Sequence, residues 1–183
     1  MKRLSLILFF LTIAFGMNAQ RYFTRQGKIS FYSETPIENI EAHTNKVLCI
    51  IDLNKGQVAV DLLIKSFEFK KKLMQEHFNE NYMESDKFPK ATFKGTFSSP
   101  KELQELKEGR YTLPVKGEIS IHGVKQPLDK EIELIVEKDQ IKAAFELKVK
   151  VADHKIKIPN LVIDNIAEVI EVKVDLNLKP YKK

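Results

Sequence analysis

Gln140-Ile-Lys-Ala-Ala-Phe-Glu-Leu-Lys-Val-Lys-Val151 carries the pattern that decides the fold. Ile141, Ala143, Phe145, Leu147, Val149 and Val151 are apolar, and Lys142, Glu146, Lys148 and Lys150 stand between them. A two-residue period places alternate side chains on opposite faces of a strand, so this segment reads as a strand with one buried face and one wet face. Outward from it the alternation recurs at Val58, Val60, Leu62, Ile64, at Ile132, Leu134, Val136, at Val172, Val174, Leu176, Leu178, and at Phe93 and Phe97 around Gly95. Parallel sheets show continuous apolar strands separated by helices, so the alternation predicts an antiparallel, all-β architecture.

About eight strands are expected, near residues 22–32, 38–52, 57–69, 90–98, 110–122, 128–138, 140–152 and 167–178. Asp52-Leu-Asn-Lys-Gly56 and Lys138-Asp139-Gln140 read as short hairpin connections, with Gly56 free to take positive φ. Apolar residues change from even to odd positions between Ile64 and Phe67, which predicts a β-bulge near Lys65–Ser66. Helical spacing over Lys71–Glu84, with Leu73, Met74, His77, Phe78 and Tyr82 on one face, predicts one amphipathic helix. Lys70, Lys71 and Lys72 crowd its positive end, where they either extend into water or help to hold an anion. A further helical turn is expected over Pro100–Glu108, ending at Gly109. Such a chain forms one domain, a sandwich or a barrel. An eight-stranded barrel either fills with side chains or holds one ligand.

The chain has 183 residues, 43% of them hydrophobic, with one cysteine and no tryptophan. One cysteine excludes an intrachain disulfide and any multi-cysteine zinc site. Lys2 and Arg3 precede the apolar run Leu4 to Phe15, followed by Gly16 and Ala19, the order of a secretory signal. This run of twelve residues falls short of the roughly 20 that span a bilayer. The expectation is therefore a signal peptide at 1–19, a mature domain at 20–183, and a periplasmic or secreted location. Without Lys2 and Arg3 the charge balance is 28 basic against 25 acidic residues, too even for nucleic-acid binding.

Catalysis finds little support. The serines lie in no Gly-x-Ser-x-Gly elbow and the seven glycines form no phosphate loop. Cys49, within Val-Leu-Cys-Ile-Ile, reads as an inert buried thiol. His77 and Glu80 have a spacing that suits a metal, with His43 or His122 available to complete it, but no paired histidine motif supports such a site. For each histidine a structural role is the better reading, and His122, beside Gly123 at a turn, is expected to hydrogen-bond a nearby carbonyl. No cofactor is expected, and no metal or catalytic residue is assigned.

Two segments resemble a known family. Gly117-Glu-Ile-Ser-Ile-His-Gly-Val-Lys-Gln-Pro-Leu128 is similar to the G-x-L-T-I-x-G-V-T-x-P-V signature of the YceI-like family of exported lipid-binding proteins. His77 to Phe93, with Phe78, Tyr82, Phe88-Pro89 and Phe93, resembles that family's helix-to-strand segment. The match extends over nearly the whole mature chain. It departs at Gln75-Glu76, which replaces an Arg-Asp pair, and at Val151-Ala-Asp-His-Lys-Ile-Lys-Ile-Pro159, which replaces a near-terminal Arg-x-x-[Phe/Tyr]-Gly. The N-terminal part also lacks the family's Asp-x-x-His-Ser start. The resemblance implies a lipocalin-like antiparallel β-barrel whose apolar cavity holds an isoprenoid or other long-chain lipid.

The expected cavity lining is Val58, Val60, Leu62, Ile64, Phe78, Tyr82, Phe93, Phe97, Ile119, Ile121, Phe145, Leu147, Val174 and Leu176. A tail buried there gains about 0.8 kcal/mol per methylene removed from water. The competing expectation is a non-catalytic structural or interaction barrel, serving in stress tolerance, whose interior these same residues fill. The expected partner is the lipid, with transient membrane contact and oligomerisation left open.

Overall fold

The computed structural model describes residues 20–138 and 140–181. The expected leader at 1–19, and Asp139 of the second expected hairpin connection, lie outside the described residues.

Eight long antiparallel strands close into a barrel, as the alternation predicts. They are β1 (Arg21–Glu34), β2 (Asn39–Asp52), β3 (Gln57–Leu63), β5 (Lys90–Phe97), β6 (Gly109–Ile121), β7 (Val124–Glu137), β8 (Gln140–Lys150) and β9 (Val169–Pro180), with a two-residue strand β4 (Glu68–Phe69) beside β2. Neighbours run β1-β9-β8-β7-β6-β5-β3-β2, and β2 pairs back onto β1 to complete the ring. β7 and β8 pair only from Leu134 opposite Ala143 to Glu137 opposite Gln140, so the ring is hydrogen-bonded there, while residues 124–133 and 144–150 are not paired to one another. In β1 the register shifts on both sides of Gly27, where a Cβ would stand 2.5 Å from Leu176 Cδ2. A larger residue there would have to displace the Leu176 side chain and crowd Val47, and the irregularity bends β1 around the barrel.

The phase change after Ile64 has a different origin from the expected bulge. Ile64–Ser66 is a 3₁₀ turn that ends β3, with Phe67 N–H donating to Ile64 O at 3.2 Å. Ser66 Oγ donates to Leu63 O at 2.6 Å and lies 2.8 Å from Thr44 Oγ1, so the hydroxyl serves a backbone carbonyl that has left the ladder. The chain then pairs with β2 alone, Phe69 opposite Ala42 and Glu68 opposite His43.

The helix is shorter than expected. α1 covers Lys72–His77 and passes into a π-turn over Phe78–Tyr82, closed by Met83 N–H donating to Phe78 O at 2.9 Å. Asn79 Nδ2 donates to Gln75 O at 2.9 Å, so a side chain takes a carbonyl of the α ladder and widens the turn. A second helix, α2 (Lys101–Gln104), lies within the expected Pro100–Glu108 turn.

The two ends of the barrel differ. At the end reached by the start of β1 and the end of β2, Val47, Cys49, Ile51, Leu53, Leu113, Val136, Ile141 and Leu178 are buried, and Leu103 of α2 packs into the same core. At the other end the inward residues, some buried (Ile29, Leu62, Ile64, Val174) and some half-buried (Phe31, Val60, Phe93, Phe145), surround a cavity.

Candidate functional site

Residues pointing inward from the second half of the barrel enclose an apolar cavity of about 500 Å³. That volume falls within the range of small-molecule sites. Of the expected lining, Val60, Leu62 and Ile64 reach it from β3 and the turn after it, Phe93 from β5, and Ile119 and Ile121 from β6. Phe145 and Leu147 reach it from β8, Val174 from β9, and Phe78 and Tyr82 from the π-turn. Val58, Phe97 and Leu176 do not. They keep the inward alternation but stand toward the packed end, where Phe97 and Leu176 are buried and Val58 packs against the same cluster. Periodicity identifies the inward face of a strand and carries no information on which half of that face meets space.

Other wall residues are not among the expected lining. Ile29 and Phe31 of β1 and Ile40 of β2 line the cavity, as do Phe67 and Phe69. Val151, Ile156, Ile158, Val162 and Ile166 belong to the segment between β8 and β9. Ile156 and Ile158 do alternate with lysines, a signal that Pro159 cuts short. Four of the aromatic residues form one cluster. The Phe31 and Phe78 rings stack at 5.4 Å, and Phe67 and Phe69 each contact both within 5.8 Å.

Two covers therefore sit over the mouth, one running from Phe67 to Pro89 and one from Val151 to Glu168. Both are fastened to the β6–β7 turn. His122 is buried there, with Nδ1 3.0 Å from His154 O and Nε2 3.0 Å from Glu84 Oε2. The expected contact of His122 with a carbonyl is thus present. Glu84 takes φ +41, in the left-handed region, and its carbonyl accepts from Lys87 and Phe88 N–H, which folds the first cover back toward the turn. Phe88 meets the His122 ring edge-on at 4.5 Å. Gly123 has φ +72, and a Cβ there would stand 2.6 Å from the Phe88 ring, so this turn requires glycine twice over.

Polar groups are few: Lys130, between Leu128 and Ile132 on β7, and Thr92 of β5 belong to the wall, and others stand at the rim. Glu38, at the β1–β2 turn, accepts from Lys71 Nζ at 3.0 Å and from Asn165 Nδ2 at 3.4 Å. The Lys71 hydrogen bond, with Asn165 second, holds the Glu38 carboxyl below the usual carboxylate range. Ser33 Oγ accepts from Ala167 N–H at 2.8 Å. Lys70 pairs with Glu41 at 3.3 Å and Lys72 with Glu76 at 3.9 Å, so the whole lysine cluster meets carboxylates. Tyr82, partly removed from water, has its phenol pKa raised by burial. Among the described residues, no group of three His, Cys, Asp or Glu is placed to hold a metal, and no helix is long and apolar enough to cross a membrane.

Comparison with known proteins gives the fold a family. A polyisoprenoid binding domain from Saccharophagus degradans, implicated in plant cell wall breakdown, is similar with a TM-score of 0.75 and 13% identity, over 89% of this chain and 99% of that one. BcnA of Burkholderia cenocepacia is similar with a TM-score of 0.68 and 16% identity, over 82% and 95% of the two chains. A mutant YCEI protein of Campylobacter jejuni, crystallised for nanotechnology applications, gives 0.61 and 15% over 81% and 90%. No curated protein matches the chain. The sequence model of the YceI-like domain matches residues 22–178, and this protein therefore belongs to the YceI-like domain family.

Proposed function

We propose that this protein is an exported, non-catalytic binding module that sequesters or carries an isoprenoid or other long-chain lipid in its barrel. The observation that carries this reading is the half-hollow interior: a predominantly apolar cavity of about 500 Å³ above a packed floor, with few polar groups in its lining. Such a site suits a slender hydrocarbon tail whose polar end stays at the mouth. Burial of the tail supplies binding free energy at roughly 0.8 kcal/mol per methylene. The fold shared with the Saccharophagus polyisoprenoid binding domain supports the same ligand class. The signal-like N-terminus supports a periplasmic or secreted location. A tail cannot thread between hydrogen-bonded strands, so loading proceeds either by movement of the covers at 67–89 or 151–168 or between the unpaired parts of β7 and β8.

Native mass spectrometry of the protein purified from its exported compartment, followed by solvent extraction, tests this reading. The expected result is a discrete added mass that resolves to a prenyl or other long-chain lipid. A clean apo mass that persists after incubation with long-chain isoprenoids would overturn it.

A further inference from the structure

Exposed large apolar residues gather around the mouth. Ile37 is 63% exposed, Leu73 61%, Ile163 50% and Leu161 96%. They come from three segments: the β1–β2 turn, the start of α1, and the 3₁₀ turn Asn160–Asn165. Those segments converge on one carboxylate, because Glu38 accepts from both Lys71 and Asn165. Ile37 adjoins Glu38, Leu73 is two residues from Lys71, and Ile163 is two residues from Asn165. Ile37 and Ile163 also line one shallow groove on the outer surface. The four side chains thus form a collar held by a single ionic hub.

The collar continues into the cavity. Leu73 lines the cavity while remaining largely exposed. In the 3₁₀ turn Val162 faces the cavity, while its neighbours Leu161 and Ile163 face out. An apolar path therefore runs from outside the molecule to the wall of the site.

We infer that this collar is a docking surface for a lipid bilayer, through which cargo passes between membrane and barrel without crossing water. The inference rests on the carrier reading above. A long tail loses about 0.8 kcal/mol per methylene on entering water, so aqueous transfer is slow, and a mouth touching the bilayer avoids it. Apolar side chains that protrude from separate loops suit insertion at the headgroup boundary. Charge selects the kind of membrane. Lys70, Lys71 and Lys72 are matched by Glu41, Glu38 and Glu76, while Glu34, Asp164 and Glu168 line the outer groove. With no cationic excess the collar docks by apolar insertion on neutral phosphatidylcholine and does not depend on anionic lipid.

The test is stopped-flow transfer of a dansyl-tagged geranylgeraniol from phosphatidylcholine vesicles to the protein, with equilibrium binding of the same probe from cyclodextrin measured in parallel. Docking predicts a transfer rate that rises with vesicle concentration and is insensitive to salt. It also predicts a rate lowered about tenfold or more by L161S together with I163S, with equilibrium binding from cyclodextrin unchanged. A rate independent of vesicle concentration, or an unchanged rate in the double variant, overturns docking alone. A rate that needs anionic vesicles and collapses in salt overturns the apolar mode. A dimer that the same substitutions dissociate would give the collar to a second copy instead. No uptake even from cyclodextrin overturns the carrier reading, and this inference with it.

Discussion

His122 Nε2 lies 3.0 Å from the Glu84 carboxylate, and this contact fastens the first cover to the barrel. On its other side the same ring meets the His154 carbonyl, so one buried imidazole holds both covers. Both partners are acceptors, and both contacts form as hydrogen bonds when each ring nitrogen carries a hydrogen. Replacing His122 by Phe leaves the His154 carbonyl without this partner and frees Glu84 to leave. The expected loss of stability is about 1–3 kcal/mol. Hydrogen exchange should accelerate at 78–88 and at 151–155 together while the packed end stays protected. Acceleration confined to one segment would show that the covers are held independently.

His154 gives the molecule a pH dependence. Burial holds its imidazole below the usual histidine range, and hydrogen bonds to the Val124 and Ile121 backbone offset that only in part. The unfolded chain then binds the proton more readily than the folded one. Stability is full above the ordinary pKa of about 6.5 and falls as pH drops below it. Melting temperature measured from pH 7.5 to 5.5 should decline on acidification, and His154→Gln should flatten that decline. Parallel curves for the two proteins would assign the acid sensitivity elsewhere.

Phe78 stacks on Phe31 and contacts Phe67 and Phe69, so it is the main apolar anchor of the first cover. Phe78→Ala removes these ring contacts, each worth about 0.5–1.5 kcal/mol beyond burial. Because Phe78 also lines the mouth, the substitution should speed both loading and release of a fluorescent apolar probe, with dissociation accelerated the more. Stopped-flow release is the measurement, and an unchanged release rate would mean that the probe leaves past the other cover or between the unpaired parts of β7 and β8.

Cys49 is buried among the apolar residues of the packed end, and burial pushes its thiol pKa up to about 12. Little thiolate exists near neutral pH, and no reagent can approach. Labelling by a maleimide should therefore proceed only through global opening, at a rate that rises in urea with the full unfolding slope. Rapid labelling in buffer would show that the packed end breathes separately.

Period-two alternation located β3, β5, β7, β8 and β9, because a half-buried strand must separate its wet and dry faces residue by residue, and counting runs added β1, β2 and β6. The same rule placed Val60, Phe93, Ile119 and Phe145 on the cavity wall. It could not tell them from Val58, Phe97 and Leu176, since hollow and packed halves of a barrel use the same residue types. The break after Ile64 was visible, but its cause lies in Ser66 meeting Leu63 and Thr44, a contact between distant segments. The lysines before α1 are open in sequence to two readings, extension into water or an anion site, and the fold brings Glu38 and Glu41 to two of them. The cover at 151–168 has only the short alternation of Ile156 and Ile158 with lysines, which Pro159 cuts off. Its shape comes from two short 3₁₀ turns and from the bonds of His154 and Asn165 to other elements.

Ile132 and Val136 give a direct test of the hollow half, because both point inward from β7, four residues apart. Ile132 lines the cavity, and Val136 is buried in the packed end. Tryptophan at either position adds a similar bulk to the interior. At Val136 the bulk meets close-packed neighbours and should cost about 1–3 kcal/mol, by overpacking. At Ile132 it enters empty space, so stability should hold or rise while affinity for an apolar probe drops about tenfold or more. Denaturant melts and probe titrations of V136W and I132W together decide the matter. Equal destabilisation by the two substitutions, with probe binding unaffected by I132W, would show that the barrel is filled throughout.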